Sequence, residues 1–105
     1  MTAQDLPPQV LAALRRLGED FHQRGVEVFL FGSFVRGEAR SNSDLDVAFG
    51  FLQAPEARLE SALHSALDEL PTIRPIDLVD LRYASESLVK AVKAFGIPLT
   101  HLAPA

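Results

Sequence analysis

A chain of 105 residues has room for one small core, so the expectation is a single domain spanning residues 1–105. Hydrophobic residues at 48% and charged residues at 23% are the balance of a folded domain rather than a disordered tail. A net charge of −4 argues against long nucleic acid as a direct ligand, and the absence of cysteine excludes disulfides, thiolate metal centres and cysteine nucleophiles.

Met1 to Pro8 lacks the basic-then-apolar pattern of a secretory signal, and no apolar run approaches the roughly 18 residues of a membrane span, so the expected location is the cytoplasm, with no membrane partner. Pro7 and Pro8 sit where a helix can begin, and Val10, Leu11, Leu14, Leu17 and Phe21 recur at helical spacing up to Gly25. Glu27 to Phe31 is rich in β-formers and apolar on both faces, the pattern of a strand in the middle of a sheet. Gly32 ends it, and Phe34 to Ala39 reads as a short helix with Ser33 as its N-cap, followed by the polar loop Arg40 to Ser43.

From Asp44 to Phe51 the period becomes two: Asp44, Asp46, Ala48 and Gly50 point one way, and Leu45, Val47, Phe49 and Phe51 the other. Pro55 opens a second long helix with a stripe of Leu59, Ala62, Leu63, Ala66, Leu67 and Leu70, closed by Pro71. Ile76 to Leu81 is a third strand, and Ser85 to Phe95 a helix with Leu88, Val89 and Val92 inward. Ile97 to Leu102 reads as a final edge strand, where Pro98 removes a ladder donor.

Residues two apart on a strand share a face, with Cα atoms about 6.5–7 Å apart, so the carboxylates of Asp44 and Asp46 can converge. Adjacent carboxylates repel unless a cation lies between them, and hard oxygen ligands suit Mg²⁺, with Mn²⁺ able to replace it. A two-metal site usually wants a third carboxylate. Asp77 is the candidate, at the start of a strand that can pair beside the Asp44 strand, whereas Asp80 falls on the opposite face by parity. Upstream, a strand leading through Gly32 and Ser33 into a helix offers backbone N–H groups to a phosphate, with the Ser33 hydroxyl as a further donor and Arg36 one turn on.

Gly32-Ser33, then Arg36-Gly37, then Ser43-Asp44-Leu45-Asp46 resembles the signature of the DNA polymerase β-type nucleotidyltransferases, in particular their minimal stand-alone members, and Asp77 in Pro75-Ile76-Asp77-Leu78 resembles their third carboxylate. The resemblance implies an α+β fold, a small mixed sheet of about four strands covered by helices in two layers. It also implies an enzyme that moves a nucleoside monophosphate, AMP from ATP in the first instance, onto a hydroxyl. Asp44 and Asp46 would bind two Mg²⁺ ions and Asp77 the catalytic one, while Gly32 and Ser33 would hold the terminal phosphates. Minimal members are often paired with a small helical HEPN-type toxin whose tyrosine receives the AMP, which implies an antitoxin that forms an oligomer with this partner.

Plainer readings stand beside these. The Asp44–Asp46 face can be a solvated strand face, Ser33 a helix cap alone, and Arg36 a surface charge paired with Glu38. Tyr83 can stack on a base or pack at a rim, and His22, His64 and His101 are taken as isolated from one another and from the carboxylates. At the level of function the alternative is a non-catalytic module that keeps the fold and clasps a partner.

Overall fold

A computed structural model describes residues 1–102. In chain order the elements are α1 (Pro8–Gln23), β1 (Val26–Phe31), α2 (Ser33–Arg36), β2 (Leu45–Phe51), α3 (Leu59–Asp68), β3 (Ile76–Asp80), α4 (Glu86–Phe95) and β4 (Ile97–Pro98), with single 3₁₀ turns at Ala3–Asp5 and Leu99–His101. The strands form one four-stranded mixed sheet in the order β3-β2-β1-β4. β1 runs antiparallel to β2 and β4, and β2 runs parallel to β3. This is the α+β architecture expected, and among the described residues no helix is long and apolar enough to cross a membrane.

Alternation along the strands divides the molecule. One face of the sheet, with Val28, Leu30, Leu45, Val47 and Phe49, packs with Leu11, Leu14 and Phe21 of α1 and Leu59, Leu63 and Leu67 of α3 into the main core. The other face carries a smaller cluster of Phe29 and Ala48 under Val92 of α4. β1 and β2 are the inner strands, which is why their middles are apolar on both sides. The inner position of β2 matters for the chemistry, because a rigid, twice-paired strand fixes the residues at its ends.

Four local expectations are corrected. The N-cap of α2 is Gly32, not Ser33, and Ser33 is the first helical residue; with φ 76° Gly32 adopts a backbone conformation open to glycine, which a serine would occupy under strain. The helix then stops at Arg36, because Gly37 turns left-handed with φ 76°. α3 begins at Leu59, four residues after Pro55: the chain turns first through Arg58, at φ 68°, so that Leu59 can enter the core as the helix starts. The last strand is two residues long, since beyond Pro98 the chain coils so that Leu99 and Leu102 bury against the main core.

Candidate active site

The ends of three elements meet at one edge of the sheet. In the β1–β2 ladder Phe31 pairs with Asp46, and in the β2–β3 ladder Asp46 pairs with Asp77. Paired residues share a face, so Phe31, Asp46 and Asp77 stand in a row on the face that α4 covers lower down. Asp44 lies two residues before Asp46, just outside the strand, and is exposed. Asp46, half-buried, is the register partner of the exposed Asp77, and Asp44 precedes it by two residues on the same strand line. Asp80 pairs with Phe49 on the opposite face and is tied to Arg82, as its parity requires.

The electrostatics follow from this placement. Burial pushes the Asp46 carboxyl above the usual carboxylate range, and the charges of Asp77 and then Asp44 push it further; the backbone N–H of Ser33 and the charge of Arg36 pull the other way. The Ser33 N–H therefore faces the Asp46 carboxylate closely enough to favour its charged form. Gly32 sits against the same group: a Cβ there would run into the Asp46 carboxylate, so the close approach of the β1–α2 junction to Asp46 depends on the missing side chain.

Arg36 makes an ion pair with Glu38 at 3.1 Å, with both side chains largely in solvent. Its charge nevertheless reaches Asp46, and it lines a cavity of about 380 Å³ together with Phe31, Gly32, Val35, Asp46 and the Leu88, Val92 and Phe95 of α4. In the sequence Phe31 belongs to an inner strand apolar on both faces, and nothing there connects α4 to the site. Parity in the β1–β2 ladder was the available signal for Phe31, but nothing in the pattern of α4 says which end of the sheet it covers.

Tyr83 is exposed three residues beyond β3, at the far end of that strand from Asp77, with the Arg82 guanidinium 5.1 Å from its ring centre. The histidines stay clear of the carboxylates, but His22 and His101 are not isolated from one another: both line a cavity of about 150 Å³ between α1 and the segment after β4. Among the described residues, no three acidic or histidine side chains are already gathered around one point.

Comparison with known proteins agrees with this geometry. Residues 22–102 match the family model described as polymerase beta, nucleotidyltransferase. Protein adenylyltransferase MntA of Thermococcus cleftensis is 32% identical over 92 residues, covering 88% of this chain and 90% of that protein. A solved structure provisionally assigned as a minimal nucleotidyltransferase superposes with a TM-score of 0.59 at 31% identity, covering 90% of this chain and 97% of that one. A chain from a toxin–antitoxin crystal structure with AMP-PNP superposes with a TM-score of 0.55 at 32% identity, covering 85% of this chain and 71% of that one. A strand, a glycine-serine junction and paired aspartates in this order and geometry, together with these matches, place the chain in the polymerase β nucleotidyltransferase family.

Proposed function

We propose that this nucleotidyltransferase moves AMP from ATP to a hydroxyl of a partner protein, with Asp44, Asp46 and Asp77 as its metal-binding carboxylates and Gly32, Ser33 and Arg36 as its phosphate-binding group. The observation that carries the reading is the row of Asp46 and Asp77 in direct register, two residues from Asp44 and against the Gly32–Ser33 junction.

The donor set fits divalent ions. The charges of Asp77 and Asp44 both raise the proton affinity of Asp46, so the three form an all-oxygen donor set with excess negative charge, the chemistry Mg²⁺ or Mn²⁺ satisfies. Among the described residues the three side chains are not gathered around one point, and a bound cation would draw them together. Asp44 and Asp46 would hold both ions, and Asp77 the one nearer the acceptor. When bound, the two ions neutralise charge on the attacking and leaving oxygens of an in-line displacement.

The chain's own residues set the geometry. The Ser33 N–H and hydroxyl would hold the β- and γ-phosphates, with the glycine at 32 letting them approach the backbone. Arg36 would exchange Glu38 for a phosphate oxygen, a change that costs little because a solvated pair is worth only about 0–1 kcal/mol. The acceptor hydroxyl would give its proton to Asp77 as its oxygen attacks the α-phosphorus, the bond from that phosphorus to the α,β-bridging oxygen would break, and pyrophosphate would leave. The cavity beside Asp46, about 380 Å³, falls within the range of small-molecule sites, and its Phe31, Val35 and Leu88 walls suit a nucleoside.

Likeness to a chain of a toxin–antitoxin structure with AMP-PNP and to a protein adenylyltransferase supports an antitoxin that transfers AMP, and the family resemblance extends the proposal to a tyrosine of a small helical HEPN-type toxin as acceptor, bound in an oligomer. The test is incubation with Mg²⁺, labelled ATP and the protein encoded beside this one. Label from the α-position should appear on the neighbour, label from the γ-position should not, and Asp44→Asn or Asp46→Asn should abolish transfer. Tight stoichiometric binding without transfer, unaffected by either substitution, would instead identify a non-catalytic binding module.

A further inference from the structure

We infer that Arg74 is a positioning residue for the carboxylate site, a role that rests on the assignment of Asp44, Asp46 and Asp77 above. Its Nη1 donates to two main-chain carbonyls, those of Arg40 at 3.0 Å and Ser43 at 2.8 Å. Its guanidinium also lies 4.9 Å from the ring centre of Phe34, which is buried in α2 directly after Ser33. One side chain therefore touches the loop that ends at Asp44 and the helix that begins at Ser33, from a backbone position three residues before Asp77.

Asp44 most needs such support. It is exposed and stands outside the β2 ladder, so its own strand does not hold it. Its two neighbours are both pinned by the same short segment: the Ser43 carbonyl accepts from Arg74, and the Leu45 N–H donates to the Pro75 carbonyl at 2.9 Å. The Arg40–Ser43 turn is closed internally by the Ser43 N–H on the Arg40 carbonyl at 3.0 Å and by the Arg40 N–H on the Ser43 hydroxyl at 2.7 Å. Arg74 then fastens that closed turn to the lead-in of β3. Relative displacement of Asp44 and Asp77 is thus resisted by the Arg74 guanidinium together with the Leu45–Pro75 hydrogen bond.

The chemistry of the contact selects arginine. A planar fork can donate in its plane to carbonyls while its face lies on an aromatic ring; a lysine ammonium offers a point charge without the plane. Among the described residues no carboxylate is within ion-pair distance of Arg74, so its partners are the turn and the ring. Groups that orient metal ligands from outside typically change metal affinity by about 10- to 100-fold when removed.

The experiment is a Mn²⁺ titration of the full chain with α,β-methylene-ATP, reading free Mn²⁺ by electron paramagnetic resonance, with thermal unfolding recorded in parallel. Arg74→Met and Arg74→Lys should both remain folded at the assay temperature and weaken Mn²⁺ by about 10- to 100-fold, Lys less than Met. In the transfer assay kcat should fall while KM for the acceptor protein holds. Arg74→Lys keeps the charge and stem, and it decides the matter if Arg74→Met does not fold. Folded variants whose Mn²⁺ affinity stays within about twofold of the parent would overturn the role of Arg74 alone. Absence of Mn²⁺ binding to the parent, or binding untouched by Asp46→Asn, would overturn the carboxylate assignment and this role with it.

Discussion

Asp46 and Asp77 face one another at the same register of the parallel strands β2 and β3, and the Asp46 carboxyl is held above the ordinary carboxylate range by burial and then by the charges of Asp77 and Asp44. Such an arrangement is unfavourable for the free chain at neutral pH. The proposed metal ions would supply the positive charge that offsets it.

Asp46→Asn removes the central charge at almost constant shape. The metal-free variant is expected to unfold at the same temperature as the parent or higher, while AMP transfer falls by roughly 10³-fold or more. The pH dependence has a definite sign. A carboxyl whose folded pKa is raised contributes stability that is present at low pH and lost as pH rises through that value. The metal-free parent should accordingly lose ground against Asp46→Asn as pH rises from the acid range to neutrality, and Mg²⁺ should restore it. Calorimetric or fluorescence melts of the two proteins, with and without Mg²⁺, measure this.

Gly32→Ala places a Cβ inside the Asp46 carboxylate at a backbone φ of 76°. Strain of this kind costs about 1–3 kcal/mol, and relief requires Asp46 to move from the β1–α2 junction. Denaturant melts should show that loss, and nucleotide affinity should fall together with transfer. A variant with the affinity and activity of the parent would show that the close approach is dispensable.

Much of this site was legible because its signals are local. Apolar residues on both faces of Glu27 to Phe31 marked an inner strand, the alternation from Asp44 onward set the two aspartates on one face, and parity separated Asp77 from Asp80. What escaped depended on tertiary context. Proline at 55 favours a helix start, but α3 begins where Leu59 meets the core; Ile97 begins a strand, but burial of Leu99 and Leu102 ends it after Pro98. Arg74 escaped for a different reason: it binds main-chain carbonyls, and a carbonyl has no identity in a sequence.

Leu45 lies between the two aspartates and is fully buried in the main core. Leu45→Ala should cost about 2–5 kcal/mol and also weaken Mn²⁺ binding, since the flanking carboxylates share its backbone. Leu14 of α1 is equally buried but lies on the helix layer. Leu14→Ala should cost comparable stability and leave the Mn²⁺ affinity of the folded protein unchanged, which separates core loss from site distortion.

Away from the site, Asp80 accepts from the backbone N–H of Arg82 at 2.9 Å and from its Nε at 3.1 Å, while the Arg82 guanidinium continues to Glu60 of α3 and lies 4.5 Å from the Phe51 ring centre. The Arg82 hydrogen bond holds the Asp80 carboxyl below its usual range. A depressed pKa contributes stability that is present above the unfolded value and lost as pH falls through the folded one. Asp80→Asn should therefore cost up to about 1 kcal/mol at neutral pH, with the difference vanishing in strong acid and transfer activity intact. Urea melts across pH, compared with the parent, read the effect.

The most direct measurement is a crystal structure of the chain with Mn²⁺ and α,β-methylene-ATP, with the ions located by anomalous scattering. The account predicts two Mn²⁺ peaks about 3.5–4 Å apart, both contacting Asp44 and Asp46 and one contacting Asp77, with the terminal phosphates on the Ser33 N–H. A bound triphosphate lying away from the Gly32–Ser33 junction, or metal that leaves Asp46 and Asp77 untouched, would contradict it.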